Sequence, residues 1–151
     1  MLYFAYAANL NRSHMKQLCP GAEPLYRAVL HNYTLTVRRW FNIERGDGKV
    51  VYGGVWQMED ECLLQLDSYE DYPHLYTKQV LKVRVPPGEW NVEGEKWKDT
   101  LKCMVYRMHQ PFEIPSSLPD PEYLKMVREG YREWGVSQKQ LDAALKKVSC
   151  S

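Results

Sequence analysis

Apolar and polar positions keep a period of two over most of the first two thirds of the chain and a helical period in the last third. Leu2 to Tyr6 is an apolar, aromatic run suited to a buried first strand, and Ala8-Asn9-Leu10-Asn11 breaks it. Arg12 to Leu18 predicts a short helix stopped by Pro20-Gly21. Tyr33, Leu35 and Val37 alternate with Thr34, Thr36 and Arg38, as in a half-buried strand. Gly46-Asp47-Gly48 signals a turn before a further strand, Val50 to Met58, and Gly53-Gly54 inside that strand predicts a bulge or a close approach to the backbone. Glu59 to Leu66 reads as a short helix with Leu63 and Leu66 on one face. Leu81, Val83 and Val85 alternate with Lys82 and Arg84 in a strand ended by Pro86-Pro87-Gly88, and Leu101, Cys103 and Val105 mark another. Asp120 is a good N-cap with Pro121 at the first helical position, and Gly135 can close that helix. Ser137-Gln138-Lys139-Gln140 is a capping box for a last helix toward Lys147.

Strands first and helices last give an α+β class, and the expected arrangement is a small mixed, largely antiparallel β-barrel flanked by helices. With no internal repeat, low-complexity tract or linker, residues 1–151 read as a single domain.

Composition narrows the function classes. Hydrophobic residues make up 44% and aromatics 13%, too many for a disordered chain. Lys+Arg 20 against Asp+Glu 19 leaves a net charge of +1, which argues against a nucleic-acid or anionic-membrane partner, since these need a clear cationic excess. The N-terminus lacks a basic segment followed by an apolar run, and no stretch approaches the ~20 apolar residues of a membrane helix. Cys19, Cys62, Cys103 and Cys150 are scattered, without the close pairs of metal or redox motifs. These features read as a cytoplasmic protein with four reduced thiols.

Glu70, in Leu66-Asp67-Ser68-Tyr69-Glu70-Asp71-Tyr72-Pro73, is the first candidate for chemistry. If the helix continues through it, Leu63, Leu66 and Glu70 share one face, and a desolvated carboxyl there is an acid/base usable at neutral pH. If the helix ends at Asp67, Glu70 is a solvated turn residue, and spacing alone favours this second reading. The second candidate is Tyr6-Ala7-Ala8-Asn9-Leu10, where a loop leaving a buried strand offers free backbone N–H groups to an anionic ligand group; a plain connection is the alternative. His14, His31, His74 and His109 show no ligand spacing, so no metal is expected. A Cys–His nucleophile pair would have to join Cys103 to His109, but Cys103 alternates with Leu101 and Val105 as a core thiol does. Arg38-Arg39 reads as a solvated edge, with one Arg able to pair with a substrate carboxylate.

Four segments in order resemble the γ-glutamylcyclotransferase family, including its AIG2-like members. Tyr3-Phe4-Ala5-Tyr6-Ala7-Ala8-Asn9-Leu10 is similar to its Tyr-Gly-Ser-Asn-Leu signature, and Val51-Tyr52-Gly53-Gly54-Val55-Trp56-Gln57-Met58 to its Gly-x-Val-Trp-x-Met strand. Leu66 to Pro73 resembles its Leu-Asp-x-x-Glu-Gly block, and Pro119-Asp120-Pro121-Glu122-Tyr123 through Gly135 its Pro-x-x-Tyr helix. The resemblance implies a cofactor-free enzyme that cyclises a small γ-glutamyl compound to 5-oxoproline. Glu70 would be its general acid/base, Tyr6, Ala7, Ala8, Asn9 and Leu10 a substrate-binding loop, and Tyr106 and Tyr123 pocket tyrosines. The other tyrosines are then expected to be sheet and surface residues. Three positions depart from the pattern: Ala7 stands for Gly and cannot freely take φ > 0, Ala8 stands for Ser and lacks its hydroxyl, and Asp71 stands for Gly and is expected to push the Glu70 pKa up. The rival class is a non-catalytic binding module that keeps the fold and pocket, in which Glu70 would be exposed or plugged. A Cys-dependent enzyme would instead be sensitive to thiol alkylation. The resemblance names neither the released amine nor an oligomeric state.

Overall fold

A computed structural model describes residues 1–86 and 100–149. Strands β1 (Leu2–Ala5), β2 (Glu23–Arg38), β3 (Trp40–Gln57), β4 (Tyr76–Arg84) and β5 (Thr100–Met108) form a closed barrel in the order β1-β3-β2-β4-β5. Neighbours run antiparallel except β1 and β5, which pair in parallel through Tyr3 and Met104. Closing the sheet on itself removes its open edge strands and leaves one end of the barrel to be shaped by loops and helices. Helices α1 (Arg12–Leu18), α2 (Cys62–Tyr69), α3 (Pro121–Trp134) and α4 (Lys139–Ser149) surround it, which is the expected α+β architecture.

The glycine cluster Gly46-Asp47-Gly48 does not end a strand. β3 runs through it, and pairing steps from His31 opposite Val50 to Tyr33 opposite Arg45. Residues 46–49 therefore bulge opposite Asn32 alone, whose side chain accepts a hydrogen bond from the Gly48 N–H at 3.1 Å. Gly48 takes φ 77°, which lets the chain make this excursion and rejoin the same partner. The true turn of the hairpin is Arg39, at φ 68° between Arg38 and Trp40. Arg38 is not a solvated edge residue: it pairs with Glu44 at 3.0 Å and donates to the Ile114 carbonyl at 2.8 Å. At Gly53 a Cβ would meet the Ala5 carbonyl and the Phe4 ring, and at Gly54 the Trp134 ring. The close approach read from these glycines is thus β1 and α3 rather than a ligand.

The expected reduced state of all four cysteines is corrected. Cys19, which caps α1, and Cys62, which begins α2, form a disulfide with Cα atoms 5.3 Å apart. Their separation of 43 residues hides the fact that the end of α1 meets the start of α2. Cys103 is free and buried, as a core thiol, and burial pushes its pKa up to about 12. Cys150, like Pro87-Gly88 after β4, lies outside the described residues.

Candidate active site

Glu70 owes its position to the way α2 ends. The helix starts later than its apolar pattern suggests, at Cys62, and runs past Asp67 to Tyr69 with Glu70 as its C-cap. The Tyr72 N–H bonds back to the Asp67 carbonyl at 2.9 Å and the Asp71 N–H to Ser68 at 3.2 Å, the paired bonds of a Schellman motif. Such an ending needs a left-handed residue, and Asp71 supplies it at φ 51°. Gly adopts that conformation without steric cost, whereas Asp does so under strain relieved only in part by its short polar side chain. Asp71→Gly is accordingly expected to stabilise the fold by about 0.5–1 kcal/mol, read as a raised urea midpoint at unchanged m.

Opposite this helix end, the chain leaving β1 makes a 3-10 turn over Ala8–Leu10. The Leu10 and Asn11 N–H groups close it onto the Ala7 and Ala8 carbonyls at 3.1 and 3.0 Å. The first N–H groups of the turn, on Ala8 and Asn9, have no partner within it. Ala7 takes φ −143°, so replacing Gly there demands no left-handed backbone. The turn is held from outside by α3, whose buried face is Val127, Gly130, Tyr131 and Trp134. The Trp134 indole N–H donates to the Leu10 carbonyl at 2.7 Å, the Tyr131 hydroxyl to Tyr6 at 2.7 Å, and the Trp56 indole to Asn9 at 2.9 Å.

These two devices bring Asn9 and Glu70 together across 61 residues of sequence: the Asn9 amide donates to Glu70 Oε1 at 3.0 Å and to the Tyr3 hydroxyl at 2.7 Å. Glu70 lies half-buried at a cavity of about 320 Å³, on the low side of the range for small-molecule sites. Burial raises its pKa to about 8, and the Asn9 hydrogen bond, which favours the carboxylate, opposes the rise. The neighbouring Asp71 is exposed, and desolvation rather than its charge sets the shift.

Of the residues proposed from sequence, Tyr6, Ala7, Ala8, Asn9, Glu70, Tyr106 and Tyr123 all line this cavity; Leu10 does not, being fully buried with its N–H spent on Ala7. Of the remaining tyrosines, expected to be sheet and surface residues, Tyr3 and Tyr76 do stand on strands and Tyr69 is exposed, but all three line the cavity too. Tyr3 and Tyr76 stand on strands of the closed barrel and Tyr69 at the end of α2, and no alternation pattern tells which face of a strand meets the cavity. Hydroxyl use separates them. Tyr6, Tyr76 and Tyr106 donate to the Tyr106 carbonyl, the Phe41 carbonyl and Asp67. Tyr3 accepts from Asn9 and Tyr123 from the Phe41 N–H at 3.2 Å, so each keeps a proton to offer a ligand. Burial raises every one of these phenols, so they are neutral donors. Among the described residues no three His, Cys, Asp or Glu side chains converge as metal ligands would, and no helix is long and apolar enough to cross a membrane.

Comparison with known proteins supplies the chain's family and fold relatives. Residues 3–130 match the family described as "Gamma-glutamyl cyclotransferase, AIG2-like". A Gamma-glutamylaminecyclotransferase of Mus musculus is 32% identical over 83 residues, covering 55% of this chain and 50% of its own. The chain thus matches about half the length of its curated relatives. A solved structure named "Gamma-glutamyl cyclotransferase" superposes with a TM-score of 0.72 at 25% identity, over 99% of this chain and 86% of that one. The crystal structure of an uncharacterized protein from Homo sapiens does so with a TM-score of 0.74 at 25% identity, over 98% of this chain and 85% of that one. The match spans β1, both halves of the cavity and most of α3, and on it this chain belongs to the AIG2-like γ-glutamyl cyclotransferase family.

Proposed function

We propose that the protein cyclises a γ-glutamyl compound to 5-oxoproline and a free amine, with Glu70 as the single general acid/base. One observation carries the reading: a carboxyl with a pKa of about 8 faces a small cavity beside a turn with free N–H groups. The substrate's own α-amine is the nucleophile, and a carboxyl pushed up to about 8 is a far better base for its proton than an ordinary carboxylate. As the amine nitrogen attacks the γ-carbonyl carbon, its proton passes to Glu70. The tetrahedral oxyanion is met by neutral donors, the Ala8 and Asn9 N–H groups and the Tyr3 and Tyr123 hydroxyls. The C–N bond to the leaving amine then breaks, and Glu70 returns the proton to that nitrogen. No water is consumed and no covalent enzyme intermediate forms. The cavity's task is to hold the chain folded for internal attack, an orientation effect worth roughly 7–11 kcal/mol in favourable cases. A drifted binding module would leave Glu70 exposed or plugged, and the open cavity around it favours the enzyme.

Two carboxyl groups, Glu70 and Asp71, line the cavity, and in the ionised form in which Glu70 acts as base its charge disfavours a leaving group bearing its own carboxylate. An amine is therefore the better leaving group than an α-amino acid. 5-Oxoproline release is expected to be at least about tenfold faster, in kcat/KM, from a γ-glutamyl alkylamine than from a γ-glutamyl α-amino acid of similar size, a difference of about 1.4 kcal/mol. Equal rates would remove the charge argument.

The pH dependence has a defined sign. Glu70 must be ionised to accept the proton, so kcat/KM rises with pH and levels near the Glu70 pKa of about 8. Asn9→Leu deletes a hydrogen bond to the charged form, so the acid limb moves to higher pH. A limb that stays in place would show that Asn9 does not tune Glu70.

A further inference from the structure

His14 was set aside in the sequence because it lacks ligand spacing, yet the fold seats it directly behind the Asn9–Glu70 pair. It lies on the first turn of α1, where its N–H donates to the Asn11 cap at 3.0 Å. Its Nε2 is 3.0 Å from Asn9 Oδ1. Its ring packs on Tyr69, the residue before Glu70, with centroids 4.6 Å apart and planes tilted by 59°.

We propose that His14 is a positioning residue, which holds the Asn9 side-chain amide in the orientation that donates to Glu70. Resting on the reading of Glu70 as the base, the inference adds a residue that touches neither substrate nor reacting atoms.

A side-chain amide presents one acceptor and two donors, and its two flip states exchange them. In the state observed, the Asn9 Nδ2 hydrogens are spent on Tyr3 and Glu70, and Oδ1 is left facing His14. That is satisfied only if Nε2 carries a proton. In the flipped state Oδ1 would face the Glu70 carboxylate, acceptor against acceptor, and the amide hydrogens would face Nε2. The ring partly buried against Tyr69 has its pKa lowered by desolvation, which favours neutral His14, and the first state is the one that its Nε2–H tautomer satisfies. Without that donor, a protonated Glu70 can turn the amide round by offering its own proton to Oδ1. His14 thus biases Asn9 toward the ionised base. The other groups that face Glu70 from neighbouring elements are Tyr3, Tyr6, Tyr69, Tyr76, Tyr106 and Tyr123, all neutral phenols. The nearby carboxylates are Asp71, exposed at the cavity, and Asp67, paired with Lys78 at 2.9 Å. Among the described residues, Asn9 is the one side chain that donates a hydrogen bond to Glu70.

The test is the titration of the Glu70 carboxyl carbon by NMR in the full chain, assigned by its absence in Glu70→Gln. His14→Phe keeps an aromatic ring against Tyr69 and removes the donor; the midpoint is expected to rise by about one pH unit, part of what a hydrogen bond to a charged group supplies. His14→Gln places an amide N–H near the Nε2 position and is expected to titrate like the wild type. Asn9→Leu raises the midpoint at least as far, and adding His14→Phe to it moves nothing further. An unchanged midpoint in His14→Phe, or additive shifts in the double variant, overturns the relay. If His14→Phe fails to fold, a His14→Gln midpoint displaced upward by as much as Asn9→Leu does the same. The acid limb of kcat/KM separates this from the catalytic reading: a carboxyl that shifts while the limb does not leaves the relay standing and removes Glu70 as the base.

Discussion

Glu70→Gln is expected to lower kcat for 5-oxoproline release by about 10³-fold or more while making the protein more stable at neutral pH. The activity loss follows from deleting the one group that both accepts and returns the proton, each transfer ordinarily worth 10²–10⁴-fold. The stability gain follows from linkage. The Glu70 carboxyl has a pKa of about 8 in the folded protein and about 4.3 when unfolded, so folding takes up a proton. Its contribution is fully favourable below about pH 4.3, is lost progressively as pH rises, and is gone above about pH 8. Gln carries no such dependence, and its carbonyl can still accept from Asn9. Discounted for the partial exposure of Glu70, the gain is on the order of 1–3 kcal/mol between pH 7 and 8 and vanishes near pH 4–5. Thermal melts of both proteins across that range read it directly. A Glu70→Gln protein that is less stable at pH 8 would mean the carboxylate is held by favourable charge interactions rather than desolvated.

Gly130→Ala carries the second large effect, on the scaffold. A Cβ there would lie 2.6 Å from the Asn11 N and 2.9 Å from the Leu10 carbonyl carbon. Both are backbone atoms of the chain that carries Asn9, so no side chain can swing aside. Overpacking of this kind costs up to about 3 kcal/mol, offset by about 1 kcal/mol of helix propensity gained over Gly. The net loss of about 2 kcal/mol lowers Tm by roughly 4–8 °C in a domain of this size. Because the turn must move away from α3, the Asn9–Glu70 hydrogen bond is displaced from its 3.0 Å geometry, and kcat/KM falls with the stability. Gly21→Ala is the control: nothing lies within 4 Å of its Cβ, and neither property is expected to change. An unaltered melt in Gly130→Ala would show that α3 does not press on the turn.

How much of this was legible in the sequence depends on the range over which each feature is decided. Helix α1, the Asp120–Pro121 start of α3 and its Gly135 end are local, and the capping and turn residues announce them. The alternation in Tyr33–Val37 and Leu101–Val105 marks strands correctly, but the same period cannot tell the long β2–β3 hairpin from two separate pieces. Glu70 shows the limit most clearly. Spacing alone favoured a solvated turn, because a helix end is set by one left-handed residue, here Asp71, that carries no glycine to signal it. The resemblance to known family blocks singled out Glu70 and the Tyr6–Leu10 loop, and the structure brings Glu70 and all of that loop but Leu10 to one cavity. The barrel itself was expected, but no linear pattern shows which distant residues its folding brings together. Tertiary packing brings Tyr3, Tyr69 and Tyr76 to one cavity, joins Cys19 to Cys62 and sets His14 behind Asn9.

The claim that the substrate's own amine is the nucleophile is tested most directly by identifying the product formed in ¹⁸O-labelled water. The purified wild-type protein, given a γ-glutamyl alkylamine, is predicted to release amine and 5-oxoproline in equal amounts, with no ¹⁸O in the 5-oxoproline. Labelled glutamate in place of 5-oxoproline would mean that water attacks the γ-carbonyl, and the proposed cyclisation would be wrong.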